Sequence, residues 1–150
     1  MPAPNNLLPV SLSRLERGRC HVMKNLWGYI PSELGNLIYL RRLNLHNNNF
    51  YGSIPDQLFN AMSLHNMFLY GINLSGSLPH SICKLLRLQN LDLSKNSLSG
   101  SLPENFKNCK QLQRLILTQI PARVLHGLKI LAKPRKKGAY PRSNLINLDR

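Results

Sequence analysis

Apolar residues recur along the middle of this chain in a fixed rhythm. Leu40, Leu43 and Leu45 are followed by Leu64, Met67 and Leu69, then by Leu88, Leu91 and Leu93, then by Leu112, Leu115 and Leu117, each set following the last at one constant interval. Within each set the x-L-x-L alternation predicts a short strand, with the Leu positions turned to a core and the intervening residues turned out. Gly28, Gly52, Gly76 and Gly100 keep the same spacing, as do Pro31, Pro55, Pro79 and Pro103. The glycines admit a positive-φ turn, and each following apolar-Pro pair gives an extended segment that requires no amide donor. A further apolar set, Leu34, Leu58, Ile82 and Phe106, fills the far side of each unit. Asn48 and Asn96 stand where the chain leaves the strand, placed so that a side-chain amide can pair backbone groups of its own and the adjacent unit. Ile72 occupies that position in the unit between them, and a local weakening is expected there.

The pattern L-x-x-L-x-L-x-x-N-x-L at this period is the leucine-rich-repeat signature. It predicts an α/β leucine-rich-repeat solenoid of 24-residue repeats, with a short parallel β-sheet on the concave face and an irregular or 3-10 convex side. The repeats are expected over residues 25–120. Residues 1–24 read as an irregular or degraded N-terminal cap, because Arg19 and His21 fall one full repeat before the core positions Leu43 and Leu45. The far end is marked by LILTQIPAR. A full repeat after Pro103 would put the next apolar-Pro pair at positions 126–127, yet Ile120-Pro121 arrives first, so the coil begun at Leu115 and Leu117 is expected not to close as the others do. Residues 121–150 read as a basic, disordered tail.

The segments NNNFYGSIP and KNSLSGSLP resemble the plant class of leucine-rich repeats. The run IPSELGNLIYLRRLNLHNNNFYGSIPDQLFN, continuing through SICKLLRLQNLDLS, resembles plant receptor-like kinases of the zygotic-arrest type from about Trp27 to Leu117. The resemblance implies the extracellular ligand- or co-receptor-binding part of such a receptor, at the plasma membrane or outside the cell, in a truncated form without the kinase. Two other functions are compatible with the chain: a secreted inhibitor-type repeat protein acting on a cell-wall enzyme, and a basic nuclear adaptor relying on the tail.

Charge and chemistry narrow this picture. The net charge of +14 over 150 residues is uneven: +3 in residues 1–27, +4 in residues 28–120 and +7 in residues 121–150. Lys133, Arg135, Lys136 and Lys137 form a compact basic run, but with little aromatic interleaving it reads as a solvated end, and no nucleic-acid partner is expected. Cys20, Cys83 and Cys109 lack metal-site spacing or an even count, so reduced buried thiols are expected. The N-terminus lacks the basic start and continuous apolar stretch of a secretory leader, and no apolar run is long enough to span a membrane. Nucleotide-loop, V-A-I-K, H-R-D and D-F-G motifs are absent, so no enzyme activity is expected, nor any cofactor or metal.

A protein or peptide partner is expected instead, on the outward strand residues. Across successive coils these are Arg42, Asn66, Asn90 and Arg114, then Asn44, Phe68, Asp92 and Ile116, then His46, Tyr70, Ser94 and Thr118. Of these, Arg42, Asn44, His46, Asn66, Phe68, Tyr70, Asn90, Asp92, Ser94 and Arg114 form the candidate partner-binding set. Phe68 and Tyr70 beside Arg42 and Arg114 make an aromatic and cationic patch. Asn73 opens the sequon Asn73-Leu74-Ser75, a candidate glycosylation site in a secreted chain.

Overall fold

In the computed structural model, residues 18–21, 25–121, 124 and 145–147 are described. Among the described residues, ten short strands run in pairs separated by four 3-10 turns. The strands β1 (Arg19–His21), β3 (Arg42–Asn44), β5 (Asn66–Phe68), β7 (Asn90–Asp92), β9 (Arg114–Ile116) and β10 (Leu145–Asn147) form one sheet in that order. From β1 to β9 neighbours are parallel, with Leu43, Met67, Leu91 and Leu115 in register. Their side chains enter a continuous core, and the residues on either side of each point away from it.

Each coil leaves the sheet through a left-handed residue, Asn47, Gly71, Lys95 or Gln119, all at φ between 54° and 66°. A second, lateral set of pairings follows. β2 (Trp27–Gly28) pairs with β4 (Asn49–Phe50), Gly52 bridges Leu74, and β6 (Ser75–Ser77) pairs with β8 (Ser97–Ser99). Here the partners stand two positions short of a full repeat apart, so these pairs run obliquely to the equivalence of the coils. Gly28, Gly52, Gly76 and Gly100 all take positive φ, as the turn chemistry requires. The chain then enters η1 (Ser32–Asn36), η2 (Asp56–Asn60), η3 (His80–Lys84) and η4 (Glu104–Asn108), each N-capped by the repeating proline without a side-chain cap bond. Leu34, Leu58, Ile82 and Phe106 bury their side chains from these turns, as the apolar pattern predicts. Gly35 is required by proximity: a Cβ there would lie 1.8 Å from the Gln57 carbonyl oxygen, so η1 packs on η2 backbone to backbone.

The buried amides bind coil to coil. Asn48 Nδ2 donates to the Leu45 and His46 carbonyls, and its Oδ1 accepts from the Leu26 amide of the preceding coil at 3.0 Å. Asn96 does more. Its Nδ2 donates to Leu93, Ser94 and, at 2.7 Å, to Leu69 of the coil before, while its Oδ1 accepts from the Ile72 and Leu74 amides. The coil that carries Ile72 in place of Asn is therefore served in part by Asn96, and Ile72 itself is fully buried among apolar neighbours.

Both ends differ from the simple repeat. β1 pairs with β3 so that Cys20 and not Arg19 stands opposite Leu43. Arg19 and His21 thereby align with the outward residues Arg42 and Asn44, which corrects the projection by whole repeats and places a strand inside the segment read as an irregular cap. One residue fewer in that coil is the cause. At the other end β9 stacks in register, Leu115 and Leu117 are buried, and Gln119 takes the left-handed turn before Ile120 and Val124 are buried in sequence. Within the tail expected to be disordered, β10 lies antiparallel on β9 with Ile146 opposite Leu115. An apolar pair flanked by Asn supplies a strand to an edge that would otherwise present unpaired backbone groups. The basic run Lys133 to Lys137 lies outside the described residues.

Candidate functional site

β3, β5, β7 and β9 place the candidate residues in columns because the outward side chains of parallel, in-register strands stack directly. The first column joins its own members. Asn90 Nδ2 donates to Asn66 Oδ1 at 2.7 Å, and Arg42 and Arg114 flank this pair at either end, the latter exposed. In the second column Asn44 and Phe68 are half-buried. Asn44 Oδ1 accepts from the His46 amide and also contacts the His46 ring nitrogen Nδ1. In the third column the His46 and Tyr70 rings lie stacked, centroids 4.7 Å apart with planes inclined by 12°. The surface is thus an aromatic step (Phe68, Tyr70, His46) over the β3 and β5 coils, with Arg42 on β3 and Arg114 two strands further along on β9.

Asp92 and Ser94 behave differently from the rest of the set. Their relative exposures are 9% and 5%, and Asp92 Oδ1 accepts from both the Ser94 amide at 3.0 Å and the Ser94 hydroxyl at 2.6 Å. The only acidic member of the columns is therefore engaged in closing its own turn, and the two guanidinium groups of Arg42 and Arg114 outnumber its single charge. Asn73 is exposed, with a positive φ of 54° and Leu74 buried behind it.

Alongside the strands runs a shallow depression of about 310 Å³ lined by His65, Leu86, Arg87, Gln89 and Gln111. It lies at the entry side of β5 and β7, next to His65 and Gln89. A second depression, of about 500 Å³, lies on the 3-10 side around His80, Pro103, Glu104 and Asn105. Both are open to solvent, a shape suited to an extended chain or a protein surface more than to an enclosed small molecule. Among the described residues no group of three His, Cys, Asp or Glu side chains is placed to hold a metal ion. No helix among them is long and apolar enough to cross a membrane. The His46–Tyr70 stack escapes a reading of the sequence, although two outward ring side chains one repeat apart are its visible signal.

Two stretches, residues 39–61 and 87–109, match the Leucine Rich Repeat family. No curated protein sequence matches the chain. Among solved structures it is similar to the ectodomain of the plant membrane receptor kinase GASSHO1/SCHENGEN3 from Arabidopsis thaliana, in complex with CASPARIAN STRIP INTEGRITY FACTOR 2. The identity is 41% over 64% of this chain and 12% of that one, with a TM-score of 0.63. The PEPR1–AtPEP1 structure is 40% identical over 66% of this chain and 14% of that one, TM-score 0.64. The Arabidopsis receptor kinase HAESA, in complex with the peptide hormone IDA and the co-receptor SERK1, is 39% identical over 64% of this chain and 16% of that one, TM-score 0.62. The chain is a leucine-rich-repeat solenoid of the kind these plant ectodomains contain, and it spans only 12% to 16% of their length.

Proposed function

We propose that this chain is a non-catalytic protein-interaction module that takes an extended peptide, or a segment of a partner protein, along the concave face of its sheet. The observation that carries the reading is the cationic, aromatic step formed by Arg42, Phe68, Tyr70, His46 and Arg114 on one continuous sheet. Aromatic and Arg side chains are the groups that most often anchor protein interfaces. With two guanidinium groups against the single carboxylate of Asp92, the face favours a partner carrying carboxylates and an apolar group for the Phe68–Tyr70 step. The similar receptor ectodomains, solved with a peptide hormone and a co-receptor, support this class of partner. They also support an extracellular setting beside the plasma membrane, in which Asn73 is a glycosylation site.

The test uses the purified full chain in a selection from displayed random peptides. Enriched sequences are expected to be acidic and to contain an apolar or aromatic residue. Phe68→Ala combined with Tyr70→Ala is expected to abolish their binding while leaving the far-ultraviolet circular dichroism and melting of the solenoid in place. Binding retained by that variant would move the site elsewhere. Enrichment of basic peptides would refute the electrostatic part of the reading.

A further inference from the structure

The step from Cys83 to Cys109 is two positions more than one repeat, so the two cysteines occupy different places in their coils. Cys83 lies inside η3 next to the buried Ile82, and Cys109 is the C-cap of η4. Stacking of the coils nevertheless brings their sulfur atoms to 3.6 Å, with the Cys109 thiol donating to Cys83. Cys109 is buried and Cys83 only partly so. Cys83 is thus the more solvent-exposed residue of the pair, with the second sulfur in contact with its own.

From this geometry we propose that Cys83 and Cys109 form a redox modification site, at which a small-molecule or protein disulfide converts the dithiol to an intramolecular disulfide joining η3 to η4. The Cys83 thiolate attacks one sulfur of the oxidant, making a mixed disulfide and expelling a thiolate that takes up a proton. The Cys109 thiolate then attacks Cys83 Sγ, and the second half of the oxidant leaves as a thiol. The cysteines lose two electrons and two protons, and the oxidant disulfide is reduced to two thiols. A disulfide bond is about 2.05 Å long, so the sulfurs must approach by roughly 1.5 Å, a distance that side-chain torsions cover.

Burial raises the Cys83 thiol above its ordinary range, opposed by the hydrogen bond from Cys109. Exchange is accordingly slow near neutrality and accelerates as pH rises and the thiolate becomes populated. The product staples the convex side of the last coils, where the backbone forms only short turns. This site is independent of the partner proposed for the concave face.

The full chain, reduced and then incubated with oxidised glutathione at alkaline pH, should yield on non-reducing digestion a linked peptide pair containing Cys83 and Cys109, lighter by two hydrogens than its reduced parts. Oxidation should raise the melting temperature by roughly 10 °C, reversibly on adding a reducing thiol. Cys83→Ser and, separately, Cys109→Ala should each abolish that shift, and a linked pair in the parent still stands if one variant fails to fold. A glutathione adduct that persists on Cys83 beside an intact Cys109 thiol would overturn the proposal. So would a link that forms only in denaturant, or one made predominantly through Cys20.

Discussion

Replacing Asn96 by Leu removes an amide that joins five backbone groups while keeping the number and branching of the side-chain heavy atoms. Its Oδ1 pairs two backbone amides and its Nδ2 reaches three carbonyls, and three of these five groups, on Leu69, Ile72 and Leu74, belong to the preceding coil. With two hydrogens on Nδ2, about four bonds act at any one time, each contributing on the order of 1 kcal/mol. Leaving the buried backbone groups unpaired raises that to about 5 kcal/mol, the Leu side chain recovers roughly 2 kcal/mol through apolar burial, and the net loss is about 3 kcal/mol. Asn48 pairs only one amide and two carbonyls, and Asn48→Leu should therefore cost about 2 kcal/mol. Urea unfolding followed by circular dichroism measures both. Against a domain stability of roughly 5–15 kcal/mol, the Asn96 variant should lose a large share and melt on the order of 15 °C lower. If Asn96→Leu cost less than Asn48→Leu, or under about 0.5 kcal/mol, the buried amides would not be what holds adjacent coils together.

Two further substitutions separate competing effects in the same repeats. Ile72→Asn supplies the missing amide but empties a fully buried apolar site, and Asn96 already occupies the Leu69 carbonyl it would need. Lost burial of roughly 2–3 kcal/mol outweighs one or two new bonds, so chemical denaturation should show a loss of about 1 kcal/mol; a gain would restore the simple Asn-ladder expectation. Lys95→Asn keeps the left-handed turn at φ 54° while using a residue that tolerates it, as Asn47 does at the equivalent position. A rise of about 0.5–1 kcal/mol in unfolding free energy is expected, and an unchanged or lower value would show that Lys95 carries no strain there.

The core of this fold is legible in the sequence because the repeat makes each position visible several times. The columns Leu43, Met67, Leu91 and Leu115, the turn glycines, and the far-side Leu34, Leu58, Ile82 and Phe106 all follow from period and chemistry. What stays hidden depends on single events or on distances across coils. β1 slips by one residue because its coil is shorter, and nothing repeats to reveal it. Lys95 and Gln119 take left-handed conformations although neither residue type signals one. At Ile72 the loss is only partial, since Asn96 reaches back across a whole coil to the Leu69 carbonyl that an Asn at position 72 would hold. On the candidate face the aromatic and cationic residues are readable as outward columns, whereas the withdrawal of Asp92 into a bond with Ser94 needs coordinates. Cys83 and Cys109 meet only because their coils stack, being out of phase with the repeat.

Which side of the solenoid meets its partner is decided most directly by photocrosslinking. A photoreactive phenylalanine analogue placed at Phe68, on the sheet, or at Tyr51, exposed beside the lateral β2–β4 pairing, can be irradiated with a fluorescent acidic peptide recovered from the displayed-peptide selection. Crosslinking from position 68 and not from position 51 is the predicted result. Efficient crosslinking from position 51, with none from position 68, would contradict binding along the concave sheet.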